Sequence, residues 1–160
     1  MPELNRDELI KECSRSIACI HAVDYYIKYM QNPCYPPNYS LTTKARKYFM
    51  ELLERYGRPH CDIEKLVKET LKHTELEGVA DEAAAAAALI KKKLNITSRV
   101  AAALAVLIVA QKNRIYISKH KVAQMFGISV ASMNEFKIRE ALNAVKTAHS
   151  ATEPPPAAGA

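Results

Sequence analysis

Near the start of the chain, Leu9, Cys13, Ile17, Ile20, Val23 (or Asp24), Ile27 and Met30 recur at three- and four-residue steps. That spacing is one face of an amphipathic helix. Asn5 followed by Glu8 supplies a capping box at its start, and the run 14–16 is a natural place for a break. The stretch "QNPCYPPNYS" stops the pattern, because Pro33, Pro36 and Pro37 cannot continue a helix.

The rhythm resumes after Thr42 or Thr43, either of which can cap a helix with Ala45, Phe49, Leu52 and Tyr56 on its apolar face; Gly57 and Pro59 end it. Asp62 caps a third helix, with Ile63, Leu66, Val67, Thr70 and Leu71 on one side and its end near Gly78. A fourth opens on Asp81 and Glu82 and closes on Lys91, Lys92 and Lys93, so each sign complements the helix dipole. Its six alanines allow close helix approach. Ser98 is expected to cap the fifth, "SRVAAALAVLIVAQK", which is apolar all round and therefore predicts a central helix that others surround. A helix at 119–126, Gly127 and a last helix from about 130 to 146 follow, and the tail from 148 has too little to pack and is expected to be disordered. No segment of useful length alternates with a period of two. The pattern predicts an all-α protein.

Composition agrees: the chain has no Trp, only four Gly, and abundant helix formers. Its longest apolar run, 100–110, is too short to cross a bilayer, and the N-terminus lacks the order of a signal peptide. A cytoplasmic protein with no membrane partner is expected. Eight of the eleven Phe and Tyr residues lie between Tyr25 and Tyr56, which gives the N-terminal third a different core from the Ala-rich remainder. "SRSIACIHAV" and "SRVAAALAV" also share a Ser-Arg start and an aligned small-apolar pattern, which fits a duplicated helical unit with a shortened first copy.

Cys13, Cys19, Cys34 and Cys61 include no C-x-x-C pair. They are expected to be buried free thiols. Cys19 with His21, or Cys61 with His60, is the competing metal reading, and a disulfide requires an oxidising compartment or a hyperthermophile cytosol. No phosphate loop, dinucleotide fingerprint or H-E-x-x-H is present, and His21 and Asp24 lie in or beside an apolar face. No enzyme, cofactor or metal is expected.

The charge distribution is more informative than the net +6. No Asp or Glu lies between Glu82 and Glu135, so the window 83–134 carries +8 and the rest of the chain −2. Such a segment builds a field that a polyanion feels. Within it, Ala123, Gly127 and Met133 have the chemistries of a helix-turn-helix: a small residue where helices cross, a turn residue that accepts positive φ, and an inward apolar residue. Ser129 is placed to cap the second helix.

From 62 to 145 the chain resembles one cyclin-type repeat of the archaeal transcription factor B and eukaryotic general transcription factor family. "DIEKLVKETLKHTEL" is similar to the repeat's first helix, "VADEAAAAAALIKKK" to its second and "SRVAAALAVLIVAQK" to its Ala-rich third. "ISKHKVAQMFGISVASMNEFKIREAL" resembles the fourth and fifth, which form that family's helix-turn-helix. The resemblance implies a cyclin-like helical bundle, with an N-terminal helical segment at 1–60 open to reading as a degenerate repeat, the repeat itself at 61–147, and the tail at 148–160. It also implies promoter DNA binding. The C-x-x-C pairs of the zinc ribbon through which the full factor engages RNA polymerase are not in this sequence.

Where the family shows "VTxxTIRNRYK", this chain has "ISVASMNEFKI". Ser129 and Ser132 take the Thr-like places, but Asn134, Glu135 and Phe136 replace Arg, Asn and Arg. The expected contacts are therefore Ser129, Ser132 and Asn134 on phosphate or base edges, with Lys119, His120, Lys121, Lys137 and Arg114 on the backbone. The expected partner is nucleic acid, double-stranded DNA first, with transcription-machinery proteins beside it, on a scaffold whose specificity is altered or lost. The alternative is a helical adaptor that docks a protein through the Tyr-rich N-terminal third, without DNA contact.

Overall fold

The computed structural model describes residues 5–152, with side chains to Thr147, and every regular element among them is helical. The chain divides into two compact units, one up to Cys61 and the other from Asp62.

The first unit holds α1 (Arg6–Glu12), α2 (Ile17–Gln31) and α3 (Thr43–Tyr56), with α2 packed against both others. Asn5, Ser16 and Thr42 cap them, each side chain accepting a backbone N–H of the first turn. The break at 14–16 is real. Ser14 (φ 73°) and Arg15 (φ 55°) both take left-handed backbone, and the corner re-aims the helical face. Cys19, Ala22, Val23 and Tyr26 then point inward, whereas Ile17, expected on the apolar face, is 74% exposed. The core is Leu9, Cys19, Val23, Tyr26, Leu52 and Leu53, lined by Tyr48, Phe49 and Tyr56. The Tyr26 hydroxyl donates at 2.8 Å to the carbonyl of Gly57, the positive-φ residue that ends α3.

The cysteines correct the free-thiol expectation. Cys13 is bonded to Cys19 and Cys34 to Cys61. Both pairings are set by the fold. The first spans the α1–α2 corner, and the second joins the loop after α2 to the end of the unit. Neither Cys19 nor Cys61 retains a thiolate for the metal sites considered with His21 and His60. No group of three His, Cys, Asp or Glu among the described residues is placed to hold a metal.

The second unit holds α4 (Ile63–Leu71), α5 (Ala80–Lys93), α6 (Ser98–Lys112), α7 (Lys119–Met125) and α8 (Glu135–Thr152). α4 ends at Leu71, short of Gly78, and a 3-10 turn at Glu77–Val79 leads into α5. α6 is central: all eleven residues from Val100 to Ala110 are buried, against α4, α5, α7 and α8. Each large aliphatic side chain hidden this way contributes about 1.5–3 kcal/mol. Ala83, Ala84, Ala86 and Ala87 are the buried face of α5, and their small side chains let the two helices approach closely.

α5 and α6 run antiparallel. Asn113 at the end of α6 donates to the Glu82 carboxylate at 3.3 Å, and Lys112 pairs with the same group at 3.6 Å. The helical backbone of α8 continues to Thr152, so 148–152 belong to a helix and not to the expected tail; the remainder of that tail, 153–160, lies outside the described residues. No helix among the described residues is long and apolar enough to cross a membrane.

Candidate nucleic-acid interface

Ser118 opens α7 by accepting the Lys121 N–H at 3.1 Å. Val122 and Ala123 are buried on the inner side of α7, and Phe126 is buried just past its end. The chain turns away from α7 at Gly127, whose φ of 63° is left-handed and favours the residue without a Cβ. Gly127 N–H then reaches the Gln124 carbonyl at 3.2 Å and Ile128 N–H the Ala123 carbonyl at 3.0 Å, which satisfies the last turn. Met133, fully buried, anchors the next element. Ala123, Gly127 and Met133 thus hold the small, left-handed and inward positions their chemistries suggested.

The second element differs from the sequence expectation. Ser129 does not cap a long helix. It precedes a 3-10 turn at Val130–Met133, closed by the Ser129 and Ser132 hydroxyls at 2.9 Å from each other. Asn134 then takes extended backbone (ψ 163°), and its side chain accepts the Lys137 N–H at 2.9 Å, so α8 begins at Glu135. The physical reason is competition between two caps five residues apart. Asn134 is a better cap than a Ser whose hydroxyl is already taken. Glu135 in the first turn of α8 is favourable for the dipole, which gives the carboxylate a structural role.

The basic residues divide into two groups along α6. Arg99, in its first turn, donates to the Gly127 carbonyl at 2.8 Å, which fixes the α7 turn at the N-terminal end of α6. The short connection 94–97 brings the end of α5 to that same end, with Lys91, Lys92 and Lys93 exposed on it. Lys91 donates to the Ile96 carbonyl at 2.6 Å, while Lys92 and Lys93 make no ion pair among the described residues. These two lysines did not enter the site predicted from sequence. The signal that finds them is the antiparallel α5–α6 pairing.

Arg114 lies past the other end of α6, about 22 Å along the helix from Arg99. It is exposed and left-handed (φ 58°), at the opposite end of α6 from the Arg99–Gly127 contact that precedes Ser129. Lys119 is half-buried and His120 exposed in the first turn of α7. Lys121 is held by Glu75 at 2.8 Å, a carboxylate distant in sequence, so its charge is largely offset. Lys137 is half-buried at the start of α8. The acid-free window is therefore not acid-free in space. Lys112 and Lys121 are paired, and among the described residues Lys92, Lys93 and Lys119 of the window, and Lys137 beyond it, have no carboxylate partner.

Comparison with protein-family models, curated proteins and solved structures finds no match to this chain.

Proposed function

We propose that the unit from Asp62 is a nucleic-acid-binding helical module of the cyclin-like kind, which holds duplex DNA mainly through phosphate contacts. The observation that carries this reading is a coincidence in space. A helix–Gly127–turn frame, with Ala123 and Met133 buried on either side, is pinned by Arg99 at the bundle end that also presents Lys92 and Lys93. Five helices arranged with an Ala-rich one at the centre support the cyclin-like assignment, as the resemblance implies.

Base reading is the weaker part of the expectation. The Ser129 and Ser132 hydroxyls bond each other, the Asn134 oxygen caps α8, and Glu135 repels phosphate where the family carries Asn. Contacts from lysines to phosphate hold a duplex without conferring sequence preference. Anisotropy titration of a labelled duplex at increasing salt, with Lys92 and Lys93 reversed in charge, tests the proposal.

A second reading, a helical adaptor for a protein partner, moves from the Tyr-rich N-terminal third to Phe136, 70% exposed in the first turn of α8, and Tyr116, 92% exposed between α6 and α7. Nuclease-treated pull-down with a Phe136→Ala comparison separates the two. The cytoplasmic expectation and the two disulfides are compatible in the cytosol of a hyperthermophile, and otherwise the disulfides favour an oxidising compartment.

A further inference from the structure

The first unit carries two adjoining grooves that its three-helix core does not use. Tyr39, Ser40 and Leu41 form the wall between them, and Tyr39 is 45% exposed on its crest. The two sides have different chemistry.

One groove, of about 320 Å³, is lined by Tyr25, Phe49 and Met50, with Arg46 at its edge. Its rings are fixed in edge-to-face contact: Tyr25 lies 5.0 Å from Phe49 and 5.5 Å from Tyr39. Met50 is 41% exposed, so apolar and aromatic surface is open to solvent there. The other groove, of about 360 Å³, is polar, with His21, Lys28 and Thr42 along it. Lys28 Nζ sits 5.4 Å from the Tyr39 ring centre, a cation against the dividing ring. Among the described residues Asp24 is the only carboxylate lining either groove, and Arg6 neutralises it through both oxygens at 2.6 and 3.3 Å. The charges left over on both sides are cationic.

An aromatic slot next to an anion-accepting slot, one ring apart, matches the repeat of a single nucleic-acid strand, in which a flat base is followed by a phosphate. A purely apolar peptide would leave the cationic groove beside Lys28 unused, whereas a nucleic-acid strand engages both sides. We propose that the Tyr39 ridge binds single-stranded nucleic acid, with a base against Tyr25, Tyr39 and Met50, a phosphate near Lys28, and Arg46 on the backbone between. Stacking supplies sequence-tolerant affinity and the cations supply salt dependence. This surface lies wholly within the first unit and does not rest on the duplex reading of the second.

The test uses the full, oxidised chain. A labelled oligothymidine strand, a labelled duplex and a labelled polyglutamate peptide are titrated by anisotropy against the parent, Tyr39→Ala, Tyr39→Phe, Lys28→Gln and Arg46→Gln. Tyr39→Ala is expected to weaken single-strand binding about tenfold, while Tyr39→Phe retains it. Lys28→Gln and Arg46→Gln are each expected to lower the salt slope by about 0.7. Duplex affinity should stay unchanged in all four variants, which separates this site from the second unit. Single-strand binding unaffected by all of Tyr39→Ala, Lys28→Gln and Arg46→Gln overturns the proposal. So does polyglutamate bound as tightly as oligothymidine, which would mark an acidic-peptide surface instead. Should Tyr39→Ala lose its fold by circular dichroism, the two cation variants decide.

Discussion

The guanidinium of Arg99 donates to the Gly127 carbonyl at 2.8 Å and also reaches the Phe126 carbonyl at 3.4 Å. A side chain in the first turn of the central helix therefore closes the end of α7, where helical carbonyls lack intrahelical partners. Arg99 sits in the basic window, but its donors face protein.

Two substitutions test this corner, Gly127→Ala its left-handed backbone and Arg99→Met its side-chain contact. Gly127→Ala forces a Cβ onto a left-handed residue and should cost about 1–2 kcal/mol. Arg99→Met removes the donors and should cost about 1–2 kcal/mol. Urea unfolding measures both, and an Arg99→Met variant as stable as the parent would show that the contact contributes nothing.

Arg114 makes the opposite prediction. Its N–H bonds the Gln111 carbonyl at 3.1 Å and the following Ile115 N–H bonds Ala110 at 2.8 Å, a turn that demands φ near 58° of a residue with a Cβ. Arg114→Gly should stabilise the protein by about 0.5–1 kcal/mol, since glycine takes this backbone without strain. Duplex affinity should fall by less than about twofold, because Arg114 stands at the far end of α6 from the Lys92–Lys93 cluster. A large affinity loss would return Arg114 to the interface.

The disulfides should act mainly through the unfolded chain. Replacing Cys34 and Cys61 by Ser opens a loop of sequence separation 27 and should cost about 3.5 kcal/mol; the Cys13 and Cys19 pair, separation 6, should cost about 2.2 kcal/mol. Urea midpoints with and without a dithiol reductant check both numbers, and the double-Ser variants should become insensitive to the matching bond's reduction.

Acid should weaken the first unit. The Arg6 hydrogen bond holds the Asp24 carboxyl below its ordinary range against the opposing effect of burial. The Tyr56 hydroxyl, helped by Arg55, does the same for Glu12. A depressed carboxylate stabilises the fold above its unfolded pKa, about 4 here, and that contribution disappears as pH falls through the depressed folded values. Stability followed from pH 6 downward should therefore decline below about pH 4, and Asp24→Asn with Glu12→Gln should flatten the decline. An unchanged slope in the double variant would contradict the assignment.

Much of the helical order was legible from local chemistry. Asn5, Thr42 and Asp62 cap the helices they were expected to cap, and Val100 to Ala110 form a wholly buried helix as their unbroken apolarity required. Cap choice failed where two candidates adjoin: Thr97, not Ser98, takes the extended backbone before α6, and Asn134 overrides Ser129 before α8. The Ser-Arg pairs of the apparent repeat occupy unlike places. Ser14 and Arg15 form a left-handed corner, whereas Ser98 and Arg99 are helical. What depended on proximity in space was not legible. The Cys34–Cys61 bridge and the offset of Lys121 by Glu75 follow from packing between segments 27 and 46 residues apart, and the Cys13–Cys19 bridge follows from the left-handed corner at Ser14 and Arg15.

A duplex titration decides whether the second unit holds DNA through phosphate contacts. With labelled double-stranded DNA at low salt, the chain should bind, and the logarithm of affinity should fall linearly with the logarithm of salt, by about 0.9 for each phosphate contacted. Lys92→Glu with Lys93→Glu should reduce the slope by about two and weaken binding at low salt about tenfold or more. No binding at low salt, or binding indifferent to salt and to both charge reversals, would contradict the account.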